Sequence, residues 1–110
     1  LASNIDGIPE MVKNFDTGEL ITPKDPIRLT ETSKSLRLPE YVVDPVRQQL
    51  ISPMQLNPKE LADKILLLSA DSKTLNKYAD RMYQNILDNF SIESYSKKLH
   101  KIYHDLVSVK

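Results

Sequence analysis

The sequence predicts a mostly α chain with two short parallel strands near its N-terminus, the tail of a larger α/β domain. Three observations predict it. Residues 1–23 read as strand, turn, helix, turn, strand. Residues 57–107 hold three capped runs of apolar side chains at helical spacing. The chain has 2 glycines, Gly7 and Gly18, which fits an irregular start followed by helices. Parallel strands need neighbours and cover on both faces, and two strands cannot provide them alone.

Leu1-Ala2-Ser3 reads as the end of a strand, and Asp6-Gly7 as a tight turn. Ile8–Asn14 is a short helix with Met11 and Val12 inward and Ile8 one turn earlier. Phe15 is expected to close its end against the sheet. Asp16-Thr17-Gly18 turns the chain again, and Glu19-Leu20-Ile21-Thr22 is a strand stopped by Pro23. A unit of this kind is a crossover, and crossovers join parallel strands.

Residues 24–56 hold Pro26, Pro39, Pro45 and Pro53, so no long helix survives there. Asp25-Pro26 opens a helical run expected to reach Leu36, and Tyr41-Val42-Val43 is extended. A helix is expected over 44–52, with Asp44 as N-cap and Pro45 at its first position. Leu36, Leu38, Tyr41, Val42, Val43, Leu50 and Ile51 give residues 24–56 apolar side chains to bury. The segment is therefore expected to be an ordered excursion packed on the helices.

Three helices complete the chain, expected over 58–69, 72–89 and 92–107. Asn57-Pro58-Lys59-Glu60 is a helix start with an N-cap, Pro at the next position and Glu placed to reach back. Leu61, Ala62, Ile65, Leu66 and Leu68 form its stripe, with Glu60 and Lys64 as a supporting pair. Asp71 caps the second helix, striped by Leu75, Tyr78, Ala79, Met82, Tyr83, Ile86, Leu87 and Phe90. Ser91 caps the third, whose stripe is Ile92, Tyr95, Leu99, Ile102, Tyr103 and Leu106.

Composition sets outer bounds. Lys+Arg and Asp+Glu number 15 each, so net charge draws the chain to neither nucleic acid nor membrane. The chain has 0 cysteines, which excludes disulfide and cysteine–metal scaffolds. The longest apolar run, Ile65–Leu68, cannot span a bilayer. The start at Leu1, with no leader pattern, fits a segment of a longer protein. The expected setting is cytoplasmic, or membrane-peripheral for the parent protein.

Few residues suggest chemistry. His100 and His104 have metal-pair spacing, but Lys101 stands where a metalloprotease helix carries Glu, and both fall off the apolar stripe. They read as a solvated face, and no metal site is expected. The tyrosines read as boundary residues. Lys97, Lys98 and Lys101 are diluted by Glu93 and Asp105. Gly7 is either a backbone turn passing close to a nucleotide phosphate or plain turn geometry, and Glu10 either a donor-site carboxylate or a first-turn acid. The plain readings are favoured.

The order of Gly7-Ile8-Pro9-Glu10, then Gly18 opening an apolar strand that ends in Pro23, resembles the retaining glycosyltransferases of family 4. The resemblance continues through Asn57-Pro58-Lys59-Glu60-Leu61-Ala62, Asn89-Phe90-Ser91-Ile92-Glu93 and Tyr103. It covers residues 1–23 and 57–107 and leaves 24–56 as an insertion. It implies descent from a Rossmann-like GT-B domain, with residues 1–110 as the C-terminal fragment of the nucleotide-sugar-binding domain. It further implies transfer of a sugar from a nucleotide-sugar donor to an acceptor with retention, usually without metal or other cofactor. The family's basic residue and Glu-x7-Glu motif lie upstream of the matched positions, so no catalytic residue carries over. Gly7, Ile8 and Glu10 are left as candidates for the edge of the donor site. The last helix would meet the N-terminal domain of the same protein through Ile92, Leu99 and Leu106. As a separate fragment, the chain is expected to be inactive and to self-associate. The rival reading is an all-α interaction module in which residues 1–23 are an irregular lead-in and the last helix binds a partner.

Overall fold

A computed structural model of the chain describes residues 1–29, 35 and 37–109. About half of these residues are helical, in elements separated by short strands. The N-terminal crossover forms as its turn residues dictate. Strand β1 (Ala2–Ser3) leads through helix α1 (Ile8–Met11) to strand β2 (Leu20–Ile21). The two strands pair in parallel, Ala2 opposite Leu20 and Ser3 opposite Ile21. Thr17, Gly18, Glu19, Ile21 and Pro23 are buried, so the small core sits on β2 and the turn before it.

Two inward assignments are corrected. Phe15 is 61% exposed, because its backbone adopts a left-handed φ of 61° that turns the ring off the sheet. Its N–H donates to the Gly18 carbonyl at 2.7 Å, and Lys64 Nζ lies 5.4 Å from its ring centroid. Met11 is also exposed, because α1 ends after one turn. Val12 takes the inward place: its Cγ1 would lie 3.1 Å from a Cβ on Gly18.

The described residues of 24–56 form short strands, where helices were expected. Asp25–Pro26 is strand β3, so the helical run expected from there does not start; residues 30–34 and 36 of that run lie outside the described residues. The helix expected over 44–52 is a hairpin of strand β4 (Val42–Asp44) and strand β5 (Gln49–Ile51). Asp44 does cap the turn: its Oδ1 accepts from Val46 N–H at 2.9 Å and Arg47 N–H at 3.1 Å. Gln48 then takes a φ of 53°, which ends the turn and sends the chain back antiparallel. Strand β6 (Met54–Gln55) pairs antiparallel with β3.

The three later helices agree closely with their caps. Helix α2 (Pro58–Ala70) starts where Asn57 Oδ1 accepts from Glu60 N–H at 3.0 Å. Helix α3 (Ser72–Asn85) is capped by Asp71, whose carboxylate accepts from Thr74 N–H at 3.0 Å and Thr74 Oγ1 at 2.6 Å. A π-helical turn over Ile86–Phe90 replaces the α-helix expected to run to 89. Helix α4 (Ile92–Ser108) begins at Ser91, which accepts from Ser94 N–H at 3.1 Å.

The expected Glu60–Lys64 pair does not form, because tertiary structure recruits both. Glu60 pairs with Lys24 at 2.6 Å and Lys64 with Glu19 at 2.5 Å. Asn57 Nδ2 also donates to Asp25 Oδ2 at 2.9 Å, fastening β3 to the start of α2. Helix α3 is held to the crossover by Arg81–Asp16 at 3.0 Å and by Asn85 Nδ2 donating to the Met11 carbonyl at 2.9 Å.

These ties leave much apolar surface uncovered. Among the described residues, the buried side chains of Ile21 and Val42 make up the hydrophobic core. The radius of gyration is 18.4 Å, against about 13 Å for a compact domain of this length. On α4 every described residue but Ser94 and Leu99 is exposed.

Candidate functional site

A cleft of about 430 Å³ opens at the carboxyl ends of β1 and β2. Asn4 and Ile5 extend from β1 into it, Thr22, Pro23 and Lys24 extend from β2, and the hairpin supplies the opposite wall with Val43, Val46, Arg47 and Ile51. The position has a topological cause. In open α/β sheets side chains just past the carboxyl ends of parallel strands are free of the ladder, and ligands bind there.

Asp6 sets the hairpin over that edge. Its N–H donates to the Val43 carbonyl at 3.0 Å, and its Oδ1 accepts from Val43 N–H at 2.7 Å. It reaches both from a φ of 50°, a conformation that Asp tolerates because its short side chain bonds locally. On the floor, Asn4 Nδ2 donates to Thr22 Oγ1 at 3.2 Å. Two cations stand at the rim. Lys24 is held by Glu60, whose hydrogen bond and charge raise the ammonium pKa. Arg47 meets Asp44 more loosely, at 3.9 Å, with most of its side chain in solvent. The arrangement suits an apolar or ring-shaped body with an anionic group turned toward the rim.

Gly7, Ile8 and Glu10, the candidates for a donor-site edge, sit at the start of α1 and are not among the lining residues of this cleft. Gly7 has a φ of −81°, and a Cβ there would come no nearer than 3.9 Å to Glu10, so the turn does not require glycine. The left-handed residue is Asp6. Helix α1 spans 4 residues, too few to align a useful dipole on a phosphate. Glu10 is exposed in its first turn.

Apart from Pro23, which ends the strand of the resemblance, the residues that line the cleft were singled out by no functional motif in the sequence. For Asn4, Ile5, Thr22 and Lys24 a signal exists: each stands just past the end of a strand that the sequence marks as parallel. Arg47 has no such signal, because its place depends on the hairpin.

A second polar cluster lies beneath the helices. Glu19 is buried, with Lys64 on one carboxylate oxygen and the Tyr78 hydroxyl donating to the other at 3.2 Å. Burial raises the Tyr78 pKa, and the Glu19 carboxylate raises it further. Each of the three side chains is thus satisfied by another, as a structural joint requires. His100 and His104 lie on the exposed face of α4, and among the described residues no group of His, Cys, Asp or Glu could hold a metal ion.

Searches of protein-family models, curated proteins and solved structures find no match to the chain. Among the described residues, no helix is long and apolar enough to cross a membrane.

Proposed function

We propose that the chain supplies the last crossover and the C-terminal helices of the nucleotide-sugar-binding domain in a retaining glycosyltransferase with two Rossmann-like domains. The carrying observation is the parallel ladder of Ala2 with Leu20 and Ser3 with Ile21, closed through α1. An all-α interaction module has no use for that ladder, and its irregular lead-in would not contain the buried core. The cleft at the carboxyl ends of these strands adds support, since nucleotides bind at this edge of doubly wound sheets.

In retaining transfer, an acceptor hydroxyl oxygen bonds to the anomeric carbon on the face from which the donor's nucleoside diphosphate leaves with the electron pair of the broken C–O bond, and the hydroxyl proton passes to that departing diphosphate. The groups that stabilise the departing diphosphate and hold the acceptor contribute most of the acceleration. On this reading they come from upstream sequence and the opposite domain. This chain contributes the sheet edge that positions them.

The decisive experiment takes the protein that carries this segment together with its upstream sequence. Incubated with UDP- or GDP-sugars and simple acceptors, it is expected to form a glycoside with the donor's anomeric configuration, read by NMR. An inverted product, or neither binding nor transfer across the common donors, would overturn the proposal. The 110-residue chain alone is expected to show no saturable sub-millimolar binding of nucleotide sugars by calorimetry.

A further inference from the structure

The exposed face of α4 is built to pair with itself. Ile92, Tyr95, Leu99, Ile102, Leu106 and Val109 alternate at spacings of three and four, the seam of a coiled coil. Ile92 is 71% exposed, Ile102 54%, Leu106 68% and Val109, the residue that ends the helix, 83%, while Leu99 is half-buried, so most of the seam stands open to solvent. We infer that a second copy of this chain covers it, with the two α4 helices antiparallel about a two-fold axis.

Self-complementarity selects the antiparallel arrangement. With Leu99 of one copy level with Ile102 of the other, Ile92 meets Val109 and Tyr95 meets Leu106. All six seam residues are then matched in one register, as a two-fold interface requires. In that register Lys98 flanks Asp105 of the other copy, and symmetry repeats the pair. A parallel arrangement sets Lys98 against Tyr103 and loses both pairs. Lys98 Nζ now donates to the Asn89 carbonyl at 3.3 Å, and Asp105 Oδ1 lies 3.8 Å from His104 Nδ1. Both contacts are exposed and can be exchanged at little cost. An anionic lipid surface fits less well, because Glu93 and Asp105 offset most of the charge of Lys97, Lys98 and Lys101.

The inference does not rest on the glycosyltransferase reading, which gives the same face to an upstream domain, so the two compete for α4 and a second copy covers it only where that domain does not. Sedimentation velocity on the full 110-residue chain is expected to show a concentration-dependent monomer–dimer equilibrium. The variant Ile102→Glu is expected to be monomeric, with unchanged helical circular dichroism because the residue is exposed. Lys98→Glu is expected to weaken the dimer about tenfold, and Lys98→Glu with Asp105→Lys to restore it to within about threefold.

The chain has 0 native cysteines, so disulfide trapping is clean. Leu99→Cys mixed with Ile102→Cys is expected to cross-link under mild oxidation, while each alone does not. Homodisulfides of Leu99→Cys alone would overturn the antiparallel register. A chain that stays monomeric at millimolar concentration would overturn the pairing, whether an upstream domain or a lipid surface then proved to cover the face.

Discussion

Lys64 Nζ lies 2.5 Å from Glu19 Oε2, and this contact joins α2 to the turn that enters β2. The Glu19 side chain is 11% exposed and Lys64 29%, so neither charge is well hydrated. Tyr78 of α3 binds the other oxygen of the same carboxylate. One buried acid thus fixes two helices on the crossover. Lys64→Met would leave the carboxylate without its cation and is expected to cost about 2 kcal/mol, below the range for fully buried pairs because Lys64 keeps some solvent. Glu19→Gln combined with Lys64→Met is expected to cost less than the sum of the single changes. Urea denaturation of the four proteins checks both statements.

The two turns at the cleft respond differently to substitution. Gly7→Ala is expected to be neutral or slightly stabilising, by up to about 0.5 kcal/mol, because φ is ordinary and the added methyl has space. Asp6→Ala loses the acceptor for Val43 N–H and puts alanine in a left-handed conformation, at an expected cost of about 2 kcal/mol. Faster amide exchange at Val43 would show that the hairpin is released. Normal protection there would mean that Asp6 does not hold it.

Gln48 adopts the left-handed conformation in the hairpin loop, at a φ of 53°. Gln48→Gly relieves that conformation and is expected to stabilise the chain by about 0.5 kcal/mol, after the added flexibility of the unfolded chain is subtracted. Thermal denaturation measures the sign. Destabilisation would point instead to a contact of the Gln48 side chain.

Stability depends on pH at both extremes. Hydrogen bonds from Thr74 hold the Asp71 carboxyl below its ordinary 3.8, so the folded state binds its proton less readily than the unfolded chain. The cap's contribution is present above that ordinary value and is lost as pH falls through the lowered folded pKa. Asp71→Asn keeps an acceptor but is expected to remove this part of the acid dependence. At the other end, the folded chain holds the Tyr78 proton above its ordinary 10.0, mainly through burial. That contribution is present below 10.0 and lost as pH rises through the folded value. Denaturation curves of Tyr78→Phe against pH test it: the variant should lose stability less steeply in alkali.

For the parent protein, Glu10→Ala separates the two meanings of that residue. A loss of transfer at unchanged stability would place Glu10 in the donor site. The expected result is full activity with a small change in stability, because Glu10 lies off the cleft and in the first turn of α1.

The sequence by itself determined what short-range chemistry controls. Asn57, Asp71 and Ser91 start their helices where they stand, because an N-cap needs only its own side chain and an N–H three residues on. The parallel crossover was legible for a similar reason, since two tight turns and a short apolar strand leave little other choice. Tertiary structure decided the rest. Asp44-Pro45 opens a helix or a tight turn equally well, and pairing of Val42 with Ile51 and Val43 with Leu50, clamped by distant Asp6, selects the turn. Glu60 and Lys64 could have paired along the helix, yet the buried carboxylate of Glu19 outcompetes the less buried Glu60 for Lys64. Pairing in water is worth little, and an uncompensated charge out of water costs much more.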